Sequence, residues 1–80
     1  MSTIQSTVAM NIRLHRAIRG WSQEVLAELS GLHRNQIGRI ERCEQDTQLT
    51  TIEKIAEALE IPITDLFLTN PMSVHGMKGK

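Results

Sequence analysis

Apolar residues recur at helical spacing along this chain, and the clearest series lies in its second half. Its members advance by three, three, one and three positions, which places them on one face of a helix: Leu49, Ile52, Ile55, Ala56, Leu59. Pro62 follows, and proline disfavours a helical backbone in the residue before it. The apolar residues within Thr64–Leu68 then predict a short further helix.

The N-terminal part predicts another helix. Val8 and Ile12 are one turn apart, so they should face a core. Ser6 or Thr7 is the expected cap, and the helix should run to about Arg19. Residues 1–6 are polar and are expected to be flexible.

Residues 21–43 predict two short helices joined by a tight turn. Ser22 is placed to cap the first, because its hydroxyl accepts a hydrogen bond from a free N–H of the opening turn. Gly31 should end it in a left-handed conformation. The second helix should open at His33 or at the next residue and bury Ile37 and Ile40.

The opposite face of that second helix is polar. It carries Arg34, Asn35, Gln36 and Arg39 around Gly38. Arginine forms paired hydrogen bonds with guanine, and asparagine or glutamine with adenine. A helix that buries isoleucine and exposes these groups suits the major groove of DNA.

Composition limits the other functions. Eighty residues predict one domain, and a single cysteine excludes an internal disulfide. No apolar run approaches the roughly 20 residues that span a bilayer, and the N-terminus lacks a secretory pattern, so a cytoplasmic location is expected. The net charge is zero, yet residues 11–42 hold six arginines against three acids (6 − 3 = +3) and residues 43–69 one lysine against six acids (1 − 6 = −5). This polarity is mild support for a basic face that meets phosphates.

From about Val8 to Phe67 the chain resembles the lambda-repressor-like (XRE) family of DNA-binding proteins. The matching positions fall in the family's order and spacing: Arg16, Gly20, Ser22-Gln23-Glu24, Leu26-Ala27, Gly31-Leu32, Ile37, Ile40-Glu41-Arg42. The resemblance implies an all-α, compact five-helix domain with a helix-turn-helix over residues 7–69, followed by a flexible tail at 70–80. It also implies a structural pair between Arg16 and Glu41.

The expected site has three sets of residues. The bases should be read by Arg34, Asn35 and Arg39, and phosphates should be held by Gln23, Gln36 and Arg42. The role of Gln23 rests mainly on the resemblance, and the alternative is a surface residue without function. Relatives often dimerise through the last helix, where the expected interface residues are Ile61, Ile63, Leu68.

Three departures leave alternatives open. The stripe of Met10, Leu14 and Ile18 either packs in the core or forms an apolar strip for a second subunit. Cys43, where the family has glycine, either extends the helix or carries strain. Gly38 either permits close approach of DNA or is a neutral surface glycine.

The predicted function is that of a sequence-specific, double-stranded DNA-binding transcription regulator. It should act as a homodimer on a palindromic operator with half-sites about 10 bp apart, or a multiple of that. A restriction–modification controller or a small phage or plasmid repressor fits best. The alternatives are an antitoxin that also binds a toxin, and a pure protein-interaction module. No catalytic set, metal cluster, cofactor or small-molecule ligand is expected.

Overall fold

The structure is a computed structural model that describes residues 3–69. Four α-helices follow one another as α1 (Ile4–Arg19), α2 (Gln23–Ser30), α3 (Arg34–Glu41) and α4 (Leu49–Leu59), and a 3₁₀ helix (Ile63–Phe67) is the last element described. Within the described residues there is no strand. The all-helical class is therefore as predicted. The predicted tail at residues 70–80 lies outside the described part.

Helix α1 begins earlier than expected. The Thr3 hydroxyl accepts a hydrogen bond from the Ser6 N–H (3.1 Å), and the Ser6 hydroxyl accepts one from the Thr3 N–H (3.0 Å). This reciprocal pair is a capping box with serine in the place of the usual glutamate. The prediction of a cap at Ser6 or Thr7 is wrong, because Ser6 acts from inside the helix. The predicted boundary between residues 6 and 7 falls within α1.

The predicted core positions are buried together. Val8 and Ile12 of α1 face the inner sides of the other helices, and both are at most 4% exposed. The cluster draws on every element: Val8, Ile12, Leu26, Ala27, Ile37, Ile40, Ile52, Ile55, Ala56, Leu59, Leu66. Leu49, the first residue of the predicted series in α4, remains exposed, as does Leu29 in α2. The cluster fixes the angle at which α2 and α3 meet.

The turn between α2 and α3 forms as predicted. The Ser22 hydroxyl accepts a hydrogen bond from the Val25 N–H (3.2 Å). Gly31 ends α2 with φ of 77°, in the left-handed region that glycine adopts without steric cost. α3 follows after two further residues, and His33 precedes it without a side-chain cap.

The Met10, Leu14 and Ile18 stripe lies off the core. Met10 and Leu14 are half-buried, and Ile18 is 66% exposed. The core-packing interpretation is therefore wrong for Ile18. On this flank of α1 Asn11 is buried instead, and its Nδ2 donates to the carbonyls of Leu66 (2.9 Å) and Leu68 (2.8 Å).

The predicted fifth helix is a 3₁₀ helix, so the described residues contain four α-helices and one 3₁₀ helix. Glu60 leaves α4 with φ of 59°, and Pro62 sets an extended backbone before the new turn. The Asp65 N–H donates to the Pro62 carbonyl three residues earlier (3.0 Å). Segments of this length favour such tight turns. Asn11 then occupies carbonyls that a longer helix would need.

Candidate nucleic-acid interface

Helix α3 turns an apolar side inward and a polar side outward. Ile37 is 0% exposed and Ile40 is 3% exposed. Arg34, Asn35 and Arg39 are exposed on the opposite side. The predicted base-reading residues therefore stand free of the core, where they are accessible to a ligand.

A shallow polar depression of about 230 Å³ lies on this face. It gathers the three predicted base readers with two of the three predicted phosphate ligands, over one glycine: Gln23, Arg34, Asn35, Gly38, Arg39, Arg42. We call it the reading depression. The exception is Gln36, which is half-buried and lines a second polar depression beside Asp46 and Thr47.

Gly38 forms part of the wall of the reading depression. It is buried, and a Cβ added there would lie 3.0 Å from Arg42 Nη1 and 3.6 Å from Gln23 Oε1. The interpretation as a neutral surface glycine is therefore wrong. The missing side chain lets Arg42 and Gln23 lie against α3.

A buried carboxylate lies beneath this face. Glu41, 3% exposed, accepts hydrogen bonds from Arg16 Nε (2.8 Å) and Arg16 Nη2 (2.9 Å). Gln23 Nε2 donates to the same carboxylate (3.0 Å), and Arg16 Nη1 donates to the Trp21 carbonyl (2.8 Å). The predicted pair between Arg16 and Glu41 is confirmed, and its hydrogen bond raises the pKa of Arg16 above its ordinary value. The network joins α1, α2 and α3.

Arg13 is a structural residue that the sequence did not single out. Its Nη1 donates to the backbone carbonyl of Glu41, the last residue of α3. Arg13 and Arg16 are three positions apart, so they lie on neighbouring positions of α1. That spacing was the available signal. Together the two arginines hold the C-terminal end of α3 against α1.

Two acids pair with arginines of the reading depression. Glu24 Oε2 lies 3.9 Å from Arg34 Nε, and both side chains are mostly exposed. Glu44 binds Arg42 more closely, through Nε to Oε2 (2.9 Å) and Nη2 to Oε1 (3.2 Å). This hydrogen bond raises the pKa of Arg42 and lowers that of Glu44 below its ordinary value of 4.5. The sequence showed only that the loop is acidic, and it did not identify Glu44.

Cys43 explains how Glu44 comes to lie there. α3 ends at Glu41, so Cys43 does not extend the helix. Cys43 adopts φ of 60°, a left-handed conformation that is strained for a residue with a side chain. The Cys43 N–H donates to the Ile40 carbonyl (3.1 Å) and the Glu44 N–H to the Arg39 carbonyl (2.9 Å). This is the bond pattern of a Schellman turn, for which glycine is the usual residue.

The predicted dimer residues are half-buried. Ile61 and Ile63 pack against the core and line a groove of about 540 Å³ along α4, with Glu53, Lys54 and Glu57 on its rim. Leu68 is not among the lining residues, and its carbonyl is held by Asn11. The structure therefore brings two of the three together.

The described residues offer few other sites. Within residues 3–69, no group of three or more histidine, cysteine, aspartate or glutamate side chains is placed to hold a metal ion. None of the helices described is long and apolar enough to cross a membrane.

In this bundle of four α-helices, α2 is joined to α3 by a tight turn at Gly31, and α3 exposes a polar face. This arrangement defines a helix-turn-helix domain. The chain belongs to the helix-turn-helix (HTH_3) family, whose profile matches residues 12–66. Among its relatives is the control protein C.SmaI of Serratia marcescens, 44% identical over 63 residues that span 79% of this chain and 75% of the relative. A hypothetical transcription factor of Neisseria meningitidis is 40% identical over 65 residues, which span 81% of this chain and 61% of that relative.

Solved structures share the fold. A crystal structure of a hypothetical transcription factor from Neisseria matches with a TM-score of 0.85 and 36% identity, over 91% of this chain and 84% of that one. The restriction–modification controller C.Esp1396I, crystallised as a tetramer with its natural 35-base-pair operator, matches with a TM-score of 0.76 and 33% identity. That match covers 84% of this chain and 88% of the controller.

Proposed function

We propose that this protein is a sequence-specific, double-stranded DNA-binding transcription regulator that acts as a homodimer on a palindromic operator. The observation that carries the proposal is the reading depression. It brings exposed arginine and amide side chains together on the outer face of α3. The apolar face of the same helix is buried in the core. We also propose a cytoplasmic location, where operator DNA is found.

The dimensions support insertion into DNA. An α-helix with its side chains is about 10–12 Å across, so α3 (eight residues) fits a major groove about 12 Å wide. Arg34 and Asn35 lie in the first turn of α3 and Arg39 one turn later. First-turn residues reach base edges in helix-turn-helix complexes. We assign base reading to these three residues.

Phosphate anchoring is assigned to Gln23, Gln36 and Arg42. Gln23 and Arg42 border the reading depression, so they flank the base-reading residues. Gln36 lies on the other side of α3, beside Thr47 and Gln48 at the start of α4. Phosphate contacts on two sides of a recognition helix fix its register in the groove.

Among regulators, a restriction–modification controller fits best. The relative C.SmaI is named a control protein, and C.Esp1396I is a restriction–modification controller whose operator complex contains a tetramer. We extend a homo-oligomeric mode of binding to this chain, with Ile61, Ile63 and Leu68 at the subunit contact. The antitoxin alternative gains no support from the relatives described above.

Selection of binding sites from randomised duplexes tests the proposal. A two-fold symmetric consensus is expected, and its half-site spacing reports the dimer geometry. A wild-type protein that enriches no sequence would show that the proposed function is wrong. A monomer in sedimentation experiments, at concentrations that saturate the site, would contradict the homodimer.

Two arginine variants then separate the assigned roles on the same face. Arg34→Ala should abolish preference at one half-site position and cost about 1–3 kcal/mol per half-site. Arg42→Ala should weaken all sequences evenly and reduce the salt dependence by about one phosphate contact. If Arg34→Ala selects the wild-type consensus, Arg34 does not read bases.

A further inference from the structure

The guanidinium of Arg42 is already engaged on the edge that an anion would use. Its Nε and Nη2 donate to the two carboxylate oxygens of Glu44, at 2.9 and 3.2 Å. Its Nη1 is turned to Gly38, 3.0 Å from where a Cβ would stand. The predicted phosphate ligand therefore holds a carboxylate of its own chain.

Carboxylate and phosphate present the same target to arginine. Both offer two oxygens to the parallel N–H groups of the guanidinium fork. The Glu44 carboxylate thus occupies the position that a DNA phosphate would take on Arg42. Both side chains are more than half exposed, so no burial prevents the exchange.

The backbone keeps Glu44 in that position. The left-handed Cys43 reverses the chain, and the Glu44 N–H is bonded to the Arg39 carbonyl (2.9 Å). A negative charge at the C-terminal end of a helix is unfavourable with the helix dipole. Helix stability alone therefore does not account for a glutamate here. The hydrogen bond with Arg42 is the main cause of the lowered pKa of Glu44, and the charge of Arg39 lowers it further.

We propose that Glu44 is an intramolecular competitor of DNA phosphate for Arg42, and that it limits affinity for any duplex regardless of sequence. The inference rests on the proposed function, because it requires Arg42 to meet DNA. In the free protein the carboxylate neutralises Arg42. In the complex Arg42 transfers to a phosphate, and the displaced carboxylate returns to water.

The test compares Glu44→Gln with a matched variant, Glu28→Gln. Glu28 is exposed on α2 and makes no ion pair within the described residues, so its loss measures the general effect of removing one negative charge. Exposed ion pairs are weak, so Glu44→Gln should tighten binding to a non-specific duplex by up to about fivefold per subunit beyond the control. The slope of log K against log salt should become steeper by up to about 0.9 per subunit. The selected consensus should not change.

The same two variants are then made in an Arg42→Gln background. Without the Arg42 guanidinium, Glu44 has no group to hold away from phosphate. Glu44→Gln and Glu28→Gln should then have equal effects on affinity for DNA. If Glu44→Gln still raises affinity for DNA beyond Glu28→Gln in the absence of Arg42, the competitor role is wrong. The gain would then come from removing direct repulsion between the carboxylate and phosphate. Equal effects of the two variants in the wild-type background would overturn it as well.

Failure of the proposed function gives a different result. If the wild-type protein binds no duplex at any salt concentration, both the regulator function and the competitor role are refuted. If the wild-type protein binds and selects a consensus while Glu44→Gln behaves as Glu28→Gln does, only the competitor role is refuted. Trp21 fluorescence checks that each variant is folded.

Discussion

Glu41→Ala is expected to destabilise the domain by about 3 kcal/mol. The change removes a 3% exposed carboxylate and with it the acceptor for Arg16 Nε, Arg16 Nη2 and Gln23 Nε2. Removing one partner of a buried ion pair costs about 3–5 kcal/mol. The lower value applies here, because the Arg16 side chain is 20% exposed and can recover water. The free energy of unfolding of a folded domain is about 5–15 kcal/mol, so this loss is a large fraction of the total stability.

Urea unfolding followed by Trp21 fluorescence and circular dichroism measures this loss. With a slope of about 1–3 kcal/mol per molar urea, the midpoint should fall by about 1–3 M. Glu41→Gln should lose less, since its amide oxygen still accepts a hydrogen bond. The double change Arg16→Met with Glu41→Leu should recover most of the stability, because apolar pairs often replace buried ion pairs without cost. A loss under about 1 kcal/mol for Glu41→Ala would refute the structural role assigned to the network.

Two further predictions concern the turn after α3. Cys43→Gly should raise the free energy of unfolding by about 1 kcal/mol, because glycine adopts φ of 60° without the penalty of a Cβ. The Tm should rise by about 4–8 °C, whereas Cys43→Ala should bring no gain; an unchanged Tm for the glycine variant would show that the turn is unstrained. The hydrogen bond with Arg42 lowers the pKa of Glu44 below 4.5, so its stabilising effect is complete above pH 4.5 and is lost as the pH falls through the folded value. In Arg42→Gln the carboxyl resonance of Glu44 should titrate closer to 4.5 by NMR, and an unchanged titration would argue against the ion pair in solution.

Local chemistry made the centre of the fold predictable. Ser22 and Gly31 bound α2 because a hydroxyl cap and a left-handed glycine leave little choice of backbone. The side chains of Ile37 and Ile40 then determine which face of α3 is outward. The predicted readers Arg34, Asn35 and Arg39 come together on that face for the same reason. Their contacts with bases stay a prediction.

Other features depend on tertiary contacts that leave no local pattern. The cap at Thr3 uses serine as the reciprocal partner, so the usual acidic signal of a capping box is absent. Glu44 meets Arg42 across the left-handed Cys43, and cysteine seldom adopts that conformation. The last helix takes a 3₁₀ form, and its Leu66 carbonyl is bound by Asn11 from 55 residues away. None of these three features can be predicted from the spacing of residues in the sequence.

The orientation of Gln23 changes how its predicted role should be understood. Glu41 is buried and acts as an acceptor, so the Gln23 amide must turn its nitrogen inward and its oxygen toward Gly38. The amide oxygen cannot donate to a phosphate, so the phosphate contact proposed for Gln23 must use the second hydrogen of Nε2. Gln23→Ala should therefore weaken binding to all sequences evenly, mainly because α2 no longer braces α3. Bracing predicts that the free energy of unfolding falls together with the affinity, whereas a pure phosphate contact would lower the affinity alone.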